Sequence, residues 1–232
     1  MPEQSDRPQA PVPTSLAELL RDRPPMARAL PSFEPDRAPA EPATLFLAWL
    51  AEAVAADVPD PQIVTLATVD ADGLPDARAL VLREVDVPDA GWLFAADARS
   101  PKGRQLAAHP YAALTVYWPQ LGRQVRIRGP VGTADPADAA AEFRTRSPAA
   151  RTAILVGHQS EPLGSPADYR AAAGRAAALL AAHPDTVAAT HTLYALRARE
   201  VEFWQGAADR YHVRLRYRRA TVPTWERTLL WP

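Results

Sequence analysis

Glu202-Phe203-Trp204-Gln205-Gly206, followed by Asp209-Arg210-Tyr211-His212-Val213-Arg214-Leu215-Arg216-Tyr217, is the stretch that decides how this chain is read. Strand side chains repeat every two residues, so in an extended segment Arg210, His212, Arg214 and Arg216 share one face. Tyr211, Val213, Leu215 and Tyr217 share the other. Four basic groups on one strand face repel unless an anion or an acidic partner neutralises them. A phosphate or carboxylate ligand would do so. A hydrated, Arg-rich strand face is the alternative, and this segment leaves both open.

Working outward, strand signals flank that stretch at Thr192 to Arg199, Val201 to Gln205 and Thr224 to Leu230. Further upstream lie Ile63 to Val69, the turn Asp70-Ala71-Asp72-Gly73, then Ala77 to Glu84, Trp92 to Ala95, Ala112 to Trp118 and Gln124 to Thr133. Ser100-Pro101, Asp135-Pro136, Ser147-Pro148 and Ser165-Pro166 each place a capping side chain before a proline at the first helical position. Residues 43–56 put Leu45, Phe46, Trp49, Leu50 and Val54, with Ala53, on one helical stripe. Short strands at hairpin spacing with a few helices predict an α+β protein built on an antiparallel barrel. Residues 1–41 carry nine of the 25 prolines and read as a largely disordered arm, with a capping box at Ser15 to Glu18. The ordered domain is expected to span 42–232.

The composition removes several functions. A net charge of −1 gives no global attraction to nucleic acid or an anionic membrane. There are no cysteines, hence no thiolate metal site or cysteine nucleophile. No apolar run approaches the roughly 20 residues of a membrane span, and the N-terminal residues do not read as a signal peptide, so a cytoplasmic protein is expected. The five histidines show no metal spacing, so no metal ligand is assigned. There is no G-x-G-x-x-G, Walker or G-x-S-x-G sequence. Lys102 is the one lysine among 26 basic residues, in a chain whose other cations are all Arg.

Two anion-binding devices stand out. At Ser100 a helix start brings free amides, the helix dipole and Lys102 together. In Arg78-Ala79-Leu80-Val81-Leu82-Arg83, alternation places the two arginines on opposite faces, so they serve one ligand only if the strand bends or lies at an edge. Gln124 offers an amide to a polar heterocycle edge or to solvent, and Trp204 packs on a ring system or fills core.

Taken in order, Arg78-x-x-x-Leu82, Ser100-x-Lys102, Arg123-Gln124-Val125, Gln159-Ser160, Glu202-Phe203-Trp204-Gln205-Gly206, Arg210-x-His212-x-Arg214 and the closing Leu-x-Pro resemble the pyridoxine/pyridoxamine 5′-phosphate oxidases. The likeness runs from about Leu45 to Pro232 and implies an antiparallel split barrel, homodimeric, with FMN at the interface. It implies that the cofactor meets Arg78, Arg83, Ser100, Lys102, Gln124, Gln159, Ser160, Trp204 and Arg214, with Arg78 and Lys102 on the FMN phosphate. It implies Arg210 and His212 as the catalytic, substrate-facing pair, and Arg83, Glu142 and Arg146 around the substrate phosphate. The expected activity is oxidation of pyridoxine or pyridoxamine 5′-phosphate to pyridoxal 5′-phosphate, with electrons passed through FMN to O2 to give peroxide.

The chain departs from the family's pattern where Glu142 and Ala150 stand for a Tyr and a Ser, and Arg83 for a Lys, of the phosphate pocket. Ala95-Ala96 stands for Tyr-Thr, and Pro101 for Arg. A carboxylate beside a phosphate repels it, or Glu142 pairs with Arg146 at i, i+4 and leaves the pocket neutral. Ser100-Pro101-Lys102-Gly103-Arg104, Tyr117-Trp118 and Gln159-Ser160-Glu161 look at least as much like the branch that oxidises unphosphorylated rings in phenazine biosynthesis. A flavin-binding protein without turnover is the third reading, and the presence of Arg210 and His212 argues against it.

Overall fold

The computed structural model describes residues 15–221 and 224–232. Among these residues nine strands form one antiparallel sheet: β1 (Ile63–Val69), β2 (Pro75–Asp86), β3 (Gly91–Asp97), β4 (Tyr111–Trp118), β5 (Arg123–Thr133), β6 (His191–Arg197), β7 (Glu200–Gln205), β8 (Val213–Thr221) and β9 (Thr224–Leu229). β1, β2, β3, β6, β5 and β4 pair in that order and β4 returns to β1, closing a six-strand barrel. The expected α+β antiparallel barrel with attached helices is the observed architecture.

β5 is the strand shared between two sheets. Residues 123–128 pair with β7, whereas Val131–Thr133 pair with β6. The changeover falls at Gly129, where any Cβ would collide with the Arg197 carbonyl oxygen, so only glycine lets the strands approach there. From β7 the sheet continues through β8 to β9.

Among the described residues six α-helices accompany the sheet: α1 (Leu16–Leu20), α2 (Pro42–Ala55), α3 (Pro101–Ala108), α4 (Pro136–Arg144), α5 (Pro148–Val156) and α6 (Pro166–Ala182). Five of them start where the sequence places a capping side chain: Ser15, Ser100, Asp135, Ser147 and Ser165 each accept a backbone N–H of the first turn. α2 buries Leu45, Phe46, Trp49 and Ala53. Phe46 meets Trp92 and Trp118, and Trp49 meets Phe203 edge-on at 5.1 Å. Truncating either ring to Ala would cost about 3–5 kcal/mol. Val54 is 59% exposed and falls outside the stripe, because it sits 40° beyond Leu50, itself only half-buried.

The N-terminal segment is the main correction to the expected organisation. Residues 26–41 lie against the barrel. Phe33 packs edge-on against Trp49 at 5.0 Å. Tyr217 Oη donates to the Pro39 carbonyl at 2.8 Å and Arg227 Nη1 to that of Ala38 at 2.7 Å. At Gly206, a Cβ would strike Met26 Sδ. Proline removes backbone donors but not side-chain packing, so a Pro-rich composition does not by itself free this segment. Residues 1–14 of the expected arm lie outside the described residues.

Candidate active site

The barrel splits along one seam, and the cleft opens in it. Pro75–Val81 of β2 pair with β1, while Leu82–Asp86 pair with β3. Beyond Leu82 and Phe94 the two strands part. A cleft of about 1320 Å³ fills the gap, with Arg78 and Leu80 on one lip and Ala95 and Ala96 on the other. The start of α3, the end of α5, the 157–164 loop and one face of α6 complete the walls. The seam-facing backbone edges of 78–81 and 95–97 have no strand partner among the described residues, and such an edge offers N–H and C=O groups to a ligand.

One end of the cleft gathers cations. Ser100, 1% exposed, caps α3 by accepting from Gly103 N–H and donates to the Asp97 carbonyl at 2.6 Å. Lys102, two residues on, reaches Gln159 Oε1 at 2.7 Å. Burial pushes the Lys102 ammonium below the usual lysine range, and the charge of Arg78 pushes it further, with Asp97 opposing. Arg78 donates to Thr68 Oγ1 at 2.5 Å and Gln105 Oε1 at 3.0 Å, and pairs with the half-exposed Asp76. Two cations that repel across a cleft, beside a capped helix start, favour an anion between them. Gln159 and Ser160 sit on the adjoining loop, where His158 and Ser160 adopt φ of 57° and 69°.

The other cluster is centred on Glu142. Arg83 Nε lies 2.6 Å from Oε1, Arg146 Nη2 lies 2.8 Å from the same oxygen, and His191 Nε2 lies 2.8 Å from Oε2. Burial raises the Glu142 carboxyl pKa. The hydrogen bonds from His191 and Arg146, with the charges of Arg146 and Arg83, outweigh it and hold the value at about 2. Arg83 reaches α4 because β2 carries an extra residue between Leu82 and Glu84. The bulge re-aims the side chains beyond it. Arg78 and Arg83 therefore do not simply oppose each other across the strand, as alternation predicts. Nor does Arg83 line the cleft as the resemblance implies: Glu142 holds it, whereas Arg146 and His191 do line the cleft.

The remaining residues form a separate patch. Gln124, Trp204 and Arg214 are register neighbours across β5, β7 and β8. Glu202 pairs with Arg214 at 2.8 Å and with Arg126 at 3.2 Å, so the acidic partner demanded by the basic strand face comes from the chain itself. That face is shorter than the alternation predicts. β8 begins only at Val213, and Arg210 lies in the preceding turn with a φ of 72°. Asp209 Oδ1 accepts from Tyr211 N–H at 3.0 Å, and Tyr211 is 81% exposed. His212 Nδ1 accepts from Ala207 N–H at 3.0 Å, so a neutral ring carries its proton on Nε2, and the ring packs 4.8 Å from Trp204. Arg210 is exposed and makes no side-chain bond among the described residues. None of these patch residues lines the cleft.

Sequence reasoning passes over His191, Gln105 and Thr68. The histidine is read only for metal spacing, and its carboxylate partner lies 49 positions away. The other two belong to a side-chain network around Arg78 that crosses from β1 to α3, and no local pattern announces it.

A split antiparallel barrel with a cation-lined cleft in its seam defines a class of small-ligand proteins, and the comparisons narrow it. The family model described as Pyridoxamine 5′-phosphate oxidase matches residues 50–205, and that of the Pyridoxine 5′-phosphate oxidase C-terminal dimerisation region matches 191–232. The chain belongs to the pyridoxamine 5′-phosphate oxidase family. It is 41% identical to a pyridoxine/pyridoxamine 5′-phosphate oxidase of Thermosynechococcus vestitus, over 94% of this chain and 100% of the relative. It is 39% identical to that of Nitrobacter winogradskyi, over 83% and 90%. Among solved structures, PhzG from Burkholderia lata in complex with tetrahydrophenazine-1-carboxylic acid superposes with a TM-score of 0.79 at 31% identity, covering 88% of this chain and 99% of that one. An FMN-binding protein from Nostoc punctiforme shares the fold, with a TM-score of 0.68 at 22% identity over 82% and 97%.

Proposed function

We propose that this chain is an FMN-dependent oxidase that acts on a small ring substrate as a cytoplasmic homodimer, with O2 as the electron acceptor. The observation that carries this reading is the convergence of Arg78 and Lys102 on the capped start of α3 within the seam cleft. Two cations, an amide, a hydroxyl and free backbone edges are the donor set that a phosphate and a polar heterocycle require. FMN, when bound, supplies the two-electron acceptor that takes hydride from the substrate and returns the electrons to O2 as H2O2.

The chain's own groups bind and orient. Arg78 and Lys102 compensate the FMN phosphate, and Gln159 and Ser160 flank it. Gln124, Trp204 and Arg214 of a second copy complete the flavin site. Three observations support this: the patch lies off the cleft of its own chain, the Gln124 amide has no partner among the described residues, and residues 191–232 match the family's dimerisation region. Arg210 keeps an uncommitted guanidinium for the substrate, and His212 presents Nε2–H as a donor when neutral. Residues 42–232 form the oxidase domain, strapped by 26–41.

Pyridoxine or pyridoxamine 5′-phosphate, the compound in the relatives' names, is the first substrate reading. A ring without phosphate is the second, favoured by Glu142, which already occupies Arg83, Arg146 and His191. Anaerobic mixing of FMN-loaded protein with pyridoxine 5′-phosphate tests the first: bleaching of the flavin's visible band, reversed by air, supports it. A yellow protein that stays yellow removes that substrate, and a protein that takes up no FMN removes the oxidase reading altogether.

A further inference from the structure

The groups around Glu142 have the make-up of an anion cradle that already holds its anion. Two guanidiniums and an imidazole converge on the carboxylate, at 2.6 Å from Arg83, 2.8 Å from Arg146 and 2.8 Å from His191. Arg146 Nε adds contacts of 3.0 and 3.2 Å, one to each oxygen, so both oxygens are engaged. The cluster is fixed from behind. Phe143 is fully buried and packs edge-on against the His191 ring at 5.2 Å. The side chains of His191, Glu142 and Arg146 are 2%, 13% and 17% exposed.

The charge arithmetic separates ligands. Arg83 and Arg146 contribute two guanidinium charges and Glu142 compensates one of them, leaving a single guanidinium charge uncompensated in the cluster. A phosphate monoester is close to a dianion at neutral pH. To settle here it would have to displace a carboxylate tethered on α4, or lie against it at the cost of like-charge repulsion. A single carboxylate on the ligand matches the remaining charge, and a neutral ring needs none. The cleft that Arg146 and His191 line also carries apolar residues, among them Leu80, Ala96, Ala153 and Ile154, which suit ring carbon rather than a hydrated dianion.

We infer that Glu142 is a built-in counter-anion that sets substrate choice, so that this chain takes a ring compound bearing no phosphate and at most one carboxylate. The inference deepens the flavin-oxidase reading and selects the second of its two substrate readings. Arg146 acts on the ligand directly. Arg83 and His191 are positioning residues that hold the carboxylate in place.

The test is equilibrium dialysis of the purified full-length chain against pyridoxal 5′-phosphate and, separately, pyridoxal, with bound FMN measured on the same samples. Wild type is expected to hold the phosphate ester no tighter than the free alcohol. Glu142→Gln removes the resident charge and is expected to raise the ester-to-alcohol affinity ratio by about tenfold or more, with FMN content unchanged. Glu142→Tyr should shift the ratio in the same direction, and it decides the matter if the Gln variant does not fold. Wild-type preference for the ester by tenfold or more would overturn the inference. So would an ester-to-alcohol ratio that Glu142→Gln and Glu142→Tyr leave unmoved. Dialysis needs no turnover, so absence of FMN in every sample would fail the oxidase reading while the ratio still reports on the cradle.

Discussion

Arg78 and Arg83 stand five residues apart on one strand, yet the protein treats their charges in opposite ways. Arg83 is matched at 2.6 Å by a carboxylate that is itself 13% exposed, and that carboxylate also takes Arg146 and His191. Arg78 is held mainly by neutral oxygens of Thr68 and Gln105 and by the half-exposed Asp76. Its cationic neighbour Lys102 bonds a neutral amide. One end of the cleft keeps positive charge for an incoming anion, and the other has spent most of it internally. On the proposed function, the difference teaches where selectivity resides: the proposed cofactor end is built to be charged by a ligand, and the proposed substrate end is charged by the chain.

The sharpest break of the comparison is at the cofactor end. Lys102→Met combined with Arg78→Met should raise the FMN dissociation constant by on the order of a hundredfold or more, read by flavin fluorescence. Next is Glu142→Ala, which leaves Arg83 and Arg146 facing each other in a half-dry site. It should lower unfolding stability by roughly 3 kcal/mol in a urea titration, in the range for breaking a buried pair from one side. Asp76→Asn, the same operation at the open end, should leave the urea midpoint within error, because Asp76 is itself half-exposed and Arg78 keeps its bonds to Thr68 and Gln105.

The pH dependence follows from the same contrast. Folding depresses the Glu142 pKa from 4.5 to about 2, so the unfolded chain takes up the proton first as pH falls. The carboxylate's contribution to stability is complete above about pH 4.5 and is lost as pH falls toward 2. The stability gap between wild type and Glu142→Gln should therefore narrow over that interval and stay constant above it. A gap independent of pH down to 2 would detach the carboxylate from the cluster. A moderate effect is expected on the strap: deleting residues 1–40 uncovers one edge of Trp49 and the Tyr217 hydroxyl, and should lower the melting temperature by several degrees without loss of the barrel.

What the sequence made legible was local. Ser100-Pro101, Asp135-Pro136, Ser147-Pro148 and Ser165-Pro166 carry their helix starts within four residues, and the strands announce themselves by alternation and by turns such as Asp70 to Gly73. The Glu142–Arg146 pair was readable at i, i+4. Its other partners were not, since Arg83 and His191 lie 59 and 49 positions away and meet Glu142 only once β2 bulges and α4 packs on β6. Alternation also overran at Arg210 and His212. A period-two pattern persists through a turn, whereas the φ of 72° at Arg210 and the Asp209 side-chain bond that shape that turn leave no periodic signal. The strap was missed for a related reason: Met26 and Phe33 are single apolar residues in a polar, Pro-rich stretch, and only their sites on Gly206 and Trp49 show that they are buried against something.

The central claim, that one end of the cleft awaits a phosphate and the other does not, is tested most directly by titrating the protein with FMN and with riboflavin, which lacks the phosphate. The account predicts that FMN binds wild type at least about a hundredfold more tightly. That advantage should collapse in the Arg78→Met, Lys102→Met variant and persist unchanged in Glu142→Gln. Equal affinity for the two flavins, or an advantage that disappears when Glu142 is changed and survives the loss of Arg78 and Lys102, would contradict it.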